Sequence, residues 1–262
     1  MTHPEMNPAS HDDTTRAAVR DRYGAIAREG GSCCAPGCCG GPTSRDLGYT
    51  EADLALIPTG ADLTLGCGNP TAIAALRPGE VALDLGSGAG MDTFLAAARV
   101  GPAGRVIGVD MTADMIARAR ANARAAGVAH VEFRLGEIEH LPVADASIDV
   151  VLSNCVINLS PDKARVFAEA FRVLRPGGRV AISDVVATAP LPPDAQRDLG
   201  ALTGCLAGAA LVDDIERWLT EAGFIDVRVT PKDSSRALIR QWTDAGSLAD
   251  YVLSANIEAR KP

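Results

Sequence analysis

The segment from residue 80 to residue 187 most constrains the fold, because short apolar runs alternate there with amphipathic runs. EVALDLG, RVIGVDM, VEFRLGE, IDVVLSN and RVAISDVV have the length and apolar content of buried strands. Helical patterns follow the first, second and fourth of these runs, with Thr112 and Ser160 as predicted N-caps. Strands joined by helices of this length predict βαβ units with right-handed crossovers, and therefore one mostly parallel α/β sheet with helices on both faces.

Further elements are predicted at both ends of the chain. DDTTRAAVRDRYGAIAREG predicts a helix that ends at Gly30, after a polar stretch, residues 1–12, that is predicted to be disordered. The C-terminal patterns predict a helix over 213–222, a strand over 224–230, a helix near 236–243 and a last strand near 250–259. We therefore expect three parts: an N-terminal helix with a flexible cysteine-rich loop (1–44), a Rossmann-like cofactor-binding core (45–190), and a C-terminal part with the last two strands (191–262).

Composition excludes several classes of partner. The net charge of −8 argues against nucleic acids and anionic membranes, since both carry negative charge. No apolar run approaches the roughly 20 residues that span a bilayer, and MTHPEMNPASHDD lacks the pattern of a signal peptide. We expect a monomeric cytoplasmic protein, in which the seven cysteines are mostly reduced and indicate metal, metalloid or redox chemistry.

The sequence DLGSGAG, where the first strand meets the first helix, predicts a ligand site. Its glycines leave the backbone open to a ligand, but the pattern G-x-G-x-G lacks the final glycine of a dinucleotide fingerprint. Asp110, at the end of the second strand, can accept both hydroxyls of a ribose. Asp84 adds a negative charge that would repel phosphate and attract a sulfonium and an ammonium group. These charges favour S-adenosylmethionine as the cofactor.

GEIEHLP, after the third strand, would lie beside the adenine of that cofactor. Together these segments closely resemble class I S-adenosylmethionine-dependent methyltransferases over about residues 80–187, which implies a seven-stranded sheet whose last strand is antiparallel. The expected cofactor site comprises Asp84, Gly86, Ser87, Gly88, Gly90, Asp110, Met111, Gly136, Glu137, Ile138 and Asn154.

Cysteines are better placed than histidines to meet a substrate. None of the four histidines has an obvious catalytic setting, so a methyltransferase with a histidine base is not indicated. Cys155 follows the fourth strand, at the edge of the sheet where ligands bind in open α/β folds. Cys205 falls in a predicted helix of small residues, where a packing role is the simpler interpretation. Cys67 is predicted to lie in a loop, where an exposed thiol without a function would be an oxidation liability.

Taken in order, GSCC, LGCGNP, SNCVINLSPDK and GCLAGA resemble the four cysteine-bearing segments of the arsenite S-adenosylmethionine methyltransferases. LGYTEADLALIP and the closing SANIEARKP extend this resemblance from about residue 19 to the end. It implies that Cys155 and Cys205 hold trivalent arsenic and that Cys67 supplies a further thiol. It also implies that Cys33 or Cys34 is the redox partner of Cys67, and that Tyr23 lies near the cofactor.

The chemistry agrees with this resemblance. Trivalent arsenic is thiophilic, as soft metals are, and its lone pair can attack a methyl group without a general base. Arsenite and methylarsenite are the expected substrates in an arsenic detoxification. Two thiols would then return the oxidised arsenic to the trivalent state, and an external reductant of the thioredoxin or glutathione type would reopen the resulting disulfide. CCAPGCC holds more cysteines than the family usually carries there, which leaves the redox partner undecided.

Four alternatives remain open, and the simplest is that the cysteine-rich loop is an inert tail. A small-molecule C-methyltransferase of the same fold would leave the ordered cysteines unexplained. A metalloid-sequestering thiol protein would not need the cofactor loop. A zinc module at Cys33, Cys34, Cys38 and Cys39 conflicts with their spacing, which differs from paired C-x2-C units, and with the lack of a nearby histidine.

Overall fold

The computed structural model describes residues 8–29, 43–192, 205–242 and 246–262. The strands are β1 (Val81–Leu85), β2 (Arg105–Asp110), β3 (Val131–Leu135), β4 (Ile148–Asn154), β5 (Leu174–Ala187), β6 (Ala210–Leu211), β7 (Ile225–Pro231) and β8 (Val252–Arg260). The helices are α1 (Pro8–Glu29), α2 (Glu51–Leu54), α3 (Pro70–Ile73), α4 (Met91–Val100), α5 (Ala113–Ala126), α6 (Lys163–Val173), α7 (Val212–Glu221) and α8 (Ser235–Ile239). Short 3-10 turns cover Ile157–Leu159 and Gly246–Asp250.

One sheet contains all the described strands. Its order is β3-β2-β1-β4-β5-β8-β7, and the short β6 pairs with the end of β5. Strands β1 to β5 are parallel, whereas β8 runs antiparallel to both of its neighbours. The predicted mostly parallel sheet with an antiparallel last strand is therefore confirmed, with the two-residue β6 as an addition. The strand order reverses between β1 and β4, and ligands bind at such a switch point in open α/β sheets.

The central strands form the core because helices cover both faces of the sheet. Leu83 and Leu85 of β1 are fully buried, as are most residues of β4. Phe167 of α6 is also buried and packs into the same cluster. This double coverage explains why β1 and β4 read as nearly continuous apolar runs.

Several expected boundaries were wrong. Helix α1 begins at Pro8, inside the stretch that was predicted to be disordered. Asp162, and not Ser160, caps α6 by accepting a hydrogen bond from the Arg165 amide; the Ser160 hydroxyl donates to buried Glu139 and accepts from the Asp162 amide. Thr112 occupies the N-cap position of α5, but its side chain makes no capping hydrogen bond.

The environment of two cysteines also differs from expectation. Cys205 lies in a turn with a positive φ of 66° and not in a helix. Cys67 does lie in a loop, but it is 4% exposed, so the loop thiol is buried. In the described part of the chain, no helix is long and apolar enough to cross a membrane.

Candidate functional site

A pocket opens at the carboxyl ends of the central strands, around the turn between β1 and α4. Gly86 and Gly88 both have positive φ, 65° and 51°, which favours glycine at each position. A Cβ on Gly86 would lie 2.4 Å from a methyl carbon of Val156, so this glycine also allows the loop after β4 to pack closely. A Cβ on Gly88 would meet no atom within 4 Å, because Gly88 faces the pocket.

Asp110 fastens the glycine turn to the end of β2. One oxygen of its carboxylate accepts a hydrogen bond from the Gly88 amide at 3.0 Å, and the other accepts one from the Thr112 amide at 2.8 Å. Burial raises the pKa of Asp110, while these two backbone donors oppose the shift. The carboxylate lines the pocket, and its remaining lone pairs can accept hydrogen bonds from a ligand.

Two further carboxyl groups, those of Asp84 and Asp92, lie on the pocket wall and make it negative when they are ionised. Asp84 is 2% exposed and accepts a hydrogen bond from the Thr93 hydroxyl at 2.7 Å. Burial raises its pKa well above the ordinary value, and the nearby charge of Asp92 raises it further. Burial likewise raises the pKa of Asp92 to about 6. A cationic ligand would stabilise both ionised carboxylates, whereas a phosphate would be repelled.

Most of the residues assigned to the cofactor from the sequence surround this pocket. Those that line it are Tyr23, Asp84, Gly86, Ser87, Gly88, Asp110, Met111, Gly136, Ile138 and Asn154. Gly90 and Glu137 are not among its lining residues. Gly90 is the N-cap of α4 in a left-handed conformation, and an added Cβ there would lie 2.6 Å from the Phe94 ring and 2.9 Å from the Phe133 ring. The Glu137 carboxylate pairs with Arg20 of α1 at 2.8 Å, which helps to hold α1 beside the pocket.

Sequence reasoning missed several pocket residues, among them Arg16, Tyr49 and Asp92. Asp92 had a usable signal, since it stands two residues after the last glycine of the loop. Arg16 and Tyr49 lie far from the loop in sequence and reach the pocket only through the path of the folded chain. Buried Tyr49 donates a hydrogen bond to Asp92 at 2.7 Å.

Three cysteines from separate segments meet at one edge of the pocket. Cys67, Cys155 and Cys205 are all buried, and they belong to one cluster of packed side chains. The Cys205 thiol donates a hydrogen bond to the Cys155 carbonyl at 2.8 Å. The Sγ atoms of Cys67 and Cys155 and a carboxylate oxygen of Asp184 all lie within 4.8 Å of one another. Cys155 also lines the pocket, so the thiol cluster adjoins it directly.

The backbone at two of these cysteines is unusual. Cys155 has a φ of 58° and Cys205 a φ of 66°, a left-handed conformation that costs a residue with a side chain about 1–2 kcal/mol. Such strain is typical of functional sites, where surrounding structure holds a residue in an unfavourable conformation. At Cys155, the amide is fixed by donating to the Ser183 carbonyl at 2.8 Å.

The environment of Cys67 and Cys155 disfavours ionisation of their thiols. Hydrogen bonding with the thiols of Cys205 and Cys67, together with burial, raises the pKa of Cys155 well above its ordinary value. Burial is the main cause of the raised pKa of Cys67. Burial also raises the pKa of Asp184 to about 6, although three N–H groups, from Ile157, Asn158 and Val185, donate to its carboxylate. The thiols of Cys67 and Cys155 therefore favour their protonated form in the free protein.

The remaining four cysteines belong to the CCAPGCC segment. The expected redox partners Cys33 and Cys34, with Cys38 and Cys39, fall outside the described residues. The three cysteines within the described ranges are free thiols.

The strand order, the glycine turn at the switch point and Asp110 at the end of β2 define a class I methyltransferase. A family model described as "Methyltransferase domain" matches residues 76–223. An arsenite methyltransferase of Halobacterium salinarum is 56% identical over 95% of this chain and 67% of its own length. The chain belongs to the arsenite methyltransferase family.

Two further comparisons agree with this membership. An arsenite methyltransferase of Aquipseudomonas alcaligenes is 46% identical over 63% of this chain, which spans 49% of that protein's length. The crystal structure of CrArsM, an arsenic(III) S-adenosylmethionine methyltransferase from Chlamydomonas reinhardtii, has a TM-score of 0.66 and 37% identity. That match covers 85% of this chain and 74% of the algal chain in the structure. The resemblance predicted from the sequence motifs is therefore confirmed at the level of the family.

Proposed function

We propose that this protein transfers a methyl group from S-adenosylmethionine to trivalent arsenic held by the thiols of Cys155, Cys205 and Cys67. The observation that carries this proposal is the double position of Cys155, which lines the pocket and also belongs to the thiol cluster. A ligand bound to its sulfur would face whatever occupies the pocket. Arsenite and methylarsenite are the proposed substrates.

The residues of the pocket fit a cationic methyl donor. Asp110 would accept the ribose hydroxyls, while Gly136 and Ile138 would flank the adenine. Ser87 carries a buried hydroxyl without a hydrogen-bond partner among the described residues, which leaves it available to a ligand. A sulfonium and an ammonium group would favour the ionised forms of Asp84 and Asp92, whose pKa values burial raises in the free protein. When bound, S-adenosylmethionine supplies a methyl group to an attacking lone pair and keeps the electron pair of the broken carbon–sulfur bond.

The thiols prepare arsenic for that attack. Each bond from a cysteine sulfur to arsenite replaces one hydroxide, which leaves as water with the proton of the thiol. No net base is consumed, which agrees with the raised pKa of Cys67 and Cys155. Thiol ligands on one side of arsenic direct its lone pair to the other side. The chain then contributes mainly positioning, which is worth up to roughly 7–11 kcal/mol in well-oriented systems.

Methylation oxidises arsenic formally from the trivalent to the pentavalent state. Two thiols return it to the trivalent state by giving up two electrons and joining in a disulfide. We assign this step to Cys67 with Cys33 or Cys34. An external dithiol or glutathione-type reductant then reopens the disulfide by thiol exchange.

The deciding experiment is incubation of the purified protein with arsenite, a thiol reductant and S-adenosylmethionine labelled in the methyl group, followed by chromatographic separation of the arsenic species. Labelled methylarsenicals are expected, and Cys155→Ser is expected to form none. Arsenic bound without label transfer would favour a sequestering protein. Label transferred to an organic acceptor but never to arsenic would favour a C-methyltransferase of the same fold.

A further inference from the structure

The Asn154 side chain makes two hydrogen bonds to the backbone on either side of the Cys67 Cα atom. The Asn154 Oδ1 atom accepts a hydrogen bond from the Cys67 amide at 3.0 Å, and its Nδ2 atom donates to the Gly68 carbonyl at 2.9 Å. The Cys67 carbonyl is also fixed, by the Ser254 hydroxyl at 2.7 Å. Because Asn154 immediately precedes Cys155, one strand end holds the peptide of one cysteine and carries the thiol of another.

The glycines on both sides of Cys67 are explained by this contact. A Cβ on Gly66 would lie 2.5 Å from the Asn154 Nδ2 atom, and a Cβ on Gly68 would lie 2.8 Å from the Ser183 Oγ atom. Real Cβ atoms essentially never approach other atoms so closely. The sequence GCG therefore lets the loop lie directly on the ends of β4 and β5.

The orientation of the Asn154 amide is itself fixed by two buried groups. Its Nδ2 atom also lies 2.9 Å from the Tyr49 oxygen and 3.0 Å from Asp92 Oδ2, so its two N–H groups are shared among these two acceptors and the Gly68 carbonyl. The Tyr49 hydroxyl donates to Asp92 Oδ1 at 2.7 Å. Reversing the amide would place its oxygen against the Asp92 carboxylate and its NH2 group against the Cys67 amide. Tyr49 and Asp92 thus permit only the orientation that holds the Cys67 peptide.

We propose that Tyr49, Asp92 and Asn154 form a positioning network that places the Cys67 thiol as the third sulfur ligand of an arsenic atom already held by Cys155 and Cys205. The inference deepens the proposed function and rests on it. These three residues act through the Cys67 backbone and need not contact arsenic. All three also line the cofactor pocket, so arsenic binding has to be measured without cofactor.

The test measures arsenic–sulfur coordination in the cofactor-free protein. Stoichiometric arsenite is added to the reduced wild type, Asn154→Ala and Tyr49→Phe, and X-ray absorption gives the number of sulfur neighbours. Three are expected in the wild type and two in both variants, as in Cys67→Ser. The dissociation constant of arsenite should rise about tenfold in Asn154→Ala, equivalent to ~1.4 kcal/mol. The milder Tyr49→Phe keeps the test decisive if Asn154→Ala fails to fold.

Asn122→Ala is the matched control, because its side-chain amide donates to the Ala89 carbonyl and, within the described part of the chain, does not hydrogen-bond to the cysteine loop. It should retain three sulfur neighbours and an arsenite affinity within about threefold of wild type. Three sulfur neighbours in a folded Tyr49→Phe or Asn154→Ala protein overturn the network while leaving the proposed function intact. A wild-type protein that binds no arsenic through sulfur overturns both.

Discussion

Replacement of Gly88 by alanine should separate the cost of backbone strain from the cost of filling the cofactor pocket. Gly88 has a φ of 51°, and an added Cβ would meet no protein atom within 4 Å. The left-handed conformation costs an alanine about 1–2 kcal/mol, so the protein should remain folded with a modest loss of stability. Because Gly88 lines the pocket, the new methyl group would occupy space that the cofactor requires.

The expected loss of affinity follows from overpacking. Inserting a methyl group into a well-packed contact costs typically 1–3 kcal/mol, which corresponds to a rise in the dissociation constant of roughly 5- to 150-fold. S-adenosylhomocysteine is the appropriate ligand, because it lacks the transferable methyl group and allows equilibrium calorimetry. Thermal unfolding followed by circular dichroism gives the stability change, at roughly 2–4 °C per kcal/mol for a chain of this size.

Gly127→Ala provides the matched control. Gly127 ends α5 with a φ of 64°, and a Cβ there also meets nothing within 4 Å, but the residue does not line the cofactor pocket. Both variants should therefore lose similar stability, while only Gly88→Ala should lose affinity. Equal affinity of the two variants for S-adenosylhomocysteine would refute the placement of the cofactor against the glycine turn.

Three other predictions concern the carboxylates and the thiols. Asp110→Ala should weaken S-adenosylhomocysteine binding, because it removes the proposed ribose acceptor and the hydrogen-bond partner of the Gly88 amide. An unchanged affinity by calorimetry would show that Asp110 is not part of the cofactor site. Cys155→Ser and Cys205→Ser should each abolish methylation of arsenite and methylarsenite, whereas Cys67→Ser should mainly impair the first methylation. Product analysis that shows turnover by the Cys155→Ser or the Cys205→Ser protein contradicts the arsenic site. Burial raises the pKa of Asp184 from 3.8 to about 6, so the folded state binds its proton more tightly and the stability from this group is lost as pH rises from about 4 to 6. The Asp184→Asn variant has no ionisable group at this position. Its free energy of unfolding minus that of the wild type should therefore rise between about pH 4 and pH 6 and become constant above about pH 7. Urea titrations that show a falling or constant difference refute the buried charge.

Local patterns were sufficient to predict the strands and most helices of the core. The run IDVVLSN became β4 with the expected bounds, because a strand covered on both faces carries a nearly continuous apolar run. The end of α5 at Gly127 was also correct, since a left-handed residue stops a helix. The predicted cap of α6 was two residues too early: the Ser160 hydroxyl accepts from the Asp162 amide and donates to Glu139, which stands 21 residues earlier in the chain. No local rule reports such a partner.

The candidate site likewise contains residues that local sequence patterns predicted and residues that they did not. The glycine turn and Asp110 belong to one βαβ unit, so sequence spacing alone brings them to one edge of the sheet. Tyr49 gave no local signal, because it reaches Asp92 across 43 residues of chain. The role assigned to each cysteine stays a prediction, but their common motif order was enough to indicate the family.

The sequence by itself determined a parallel α/β sheet, a pocket at its switch point and membership in the arsenite methyltransferase family, because these depend on short-range periodicity and motif order. Only the tertiary structure decided that Cys67 is buried, that Cys205 lies in a turn, and that Asn154 joins the pocket to the thiol cluster. Those contacts join residues that are 50 to 116 positions apart in the sequence. Tertiary packing brings such residues together, and local conformational preference does not.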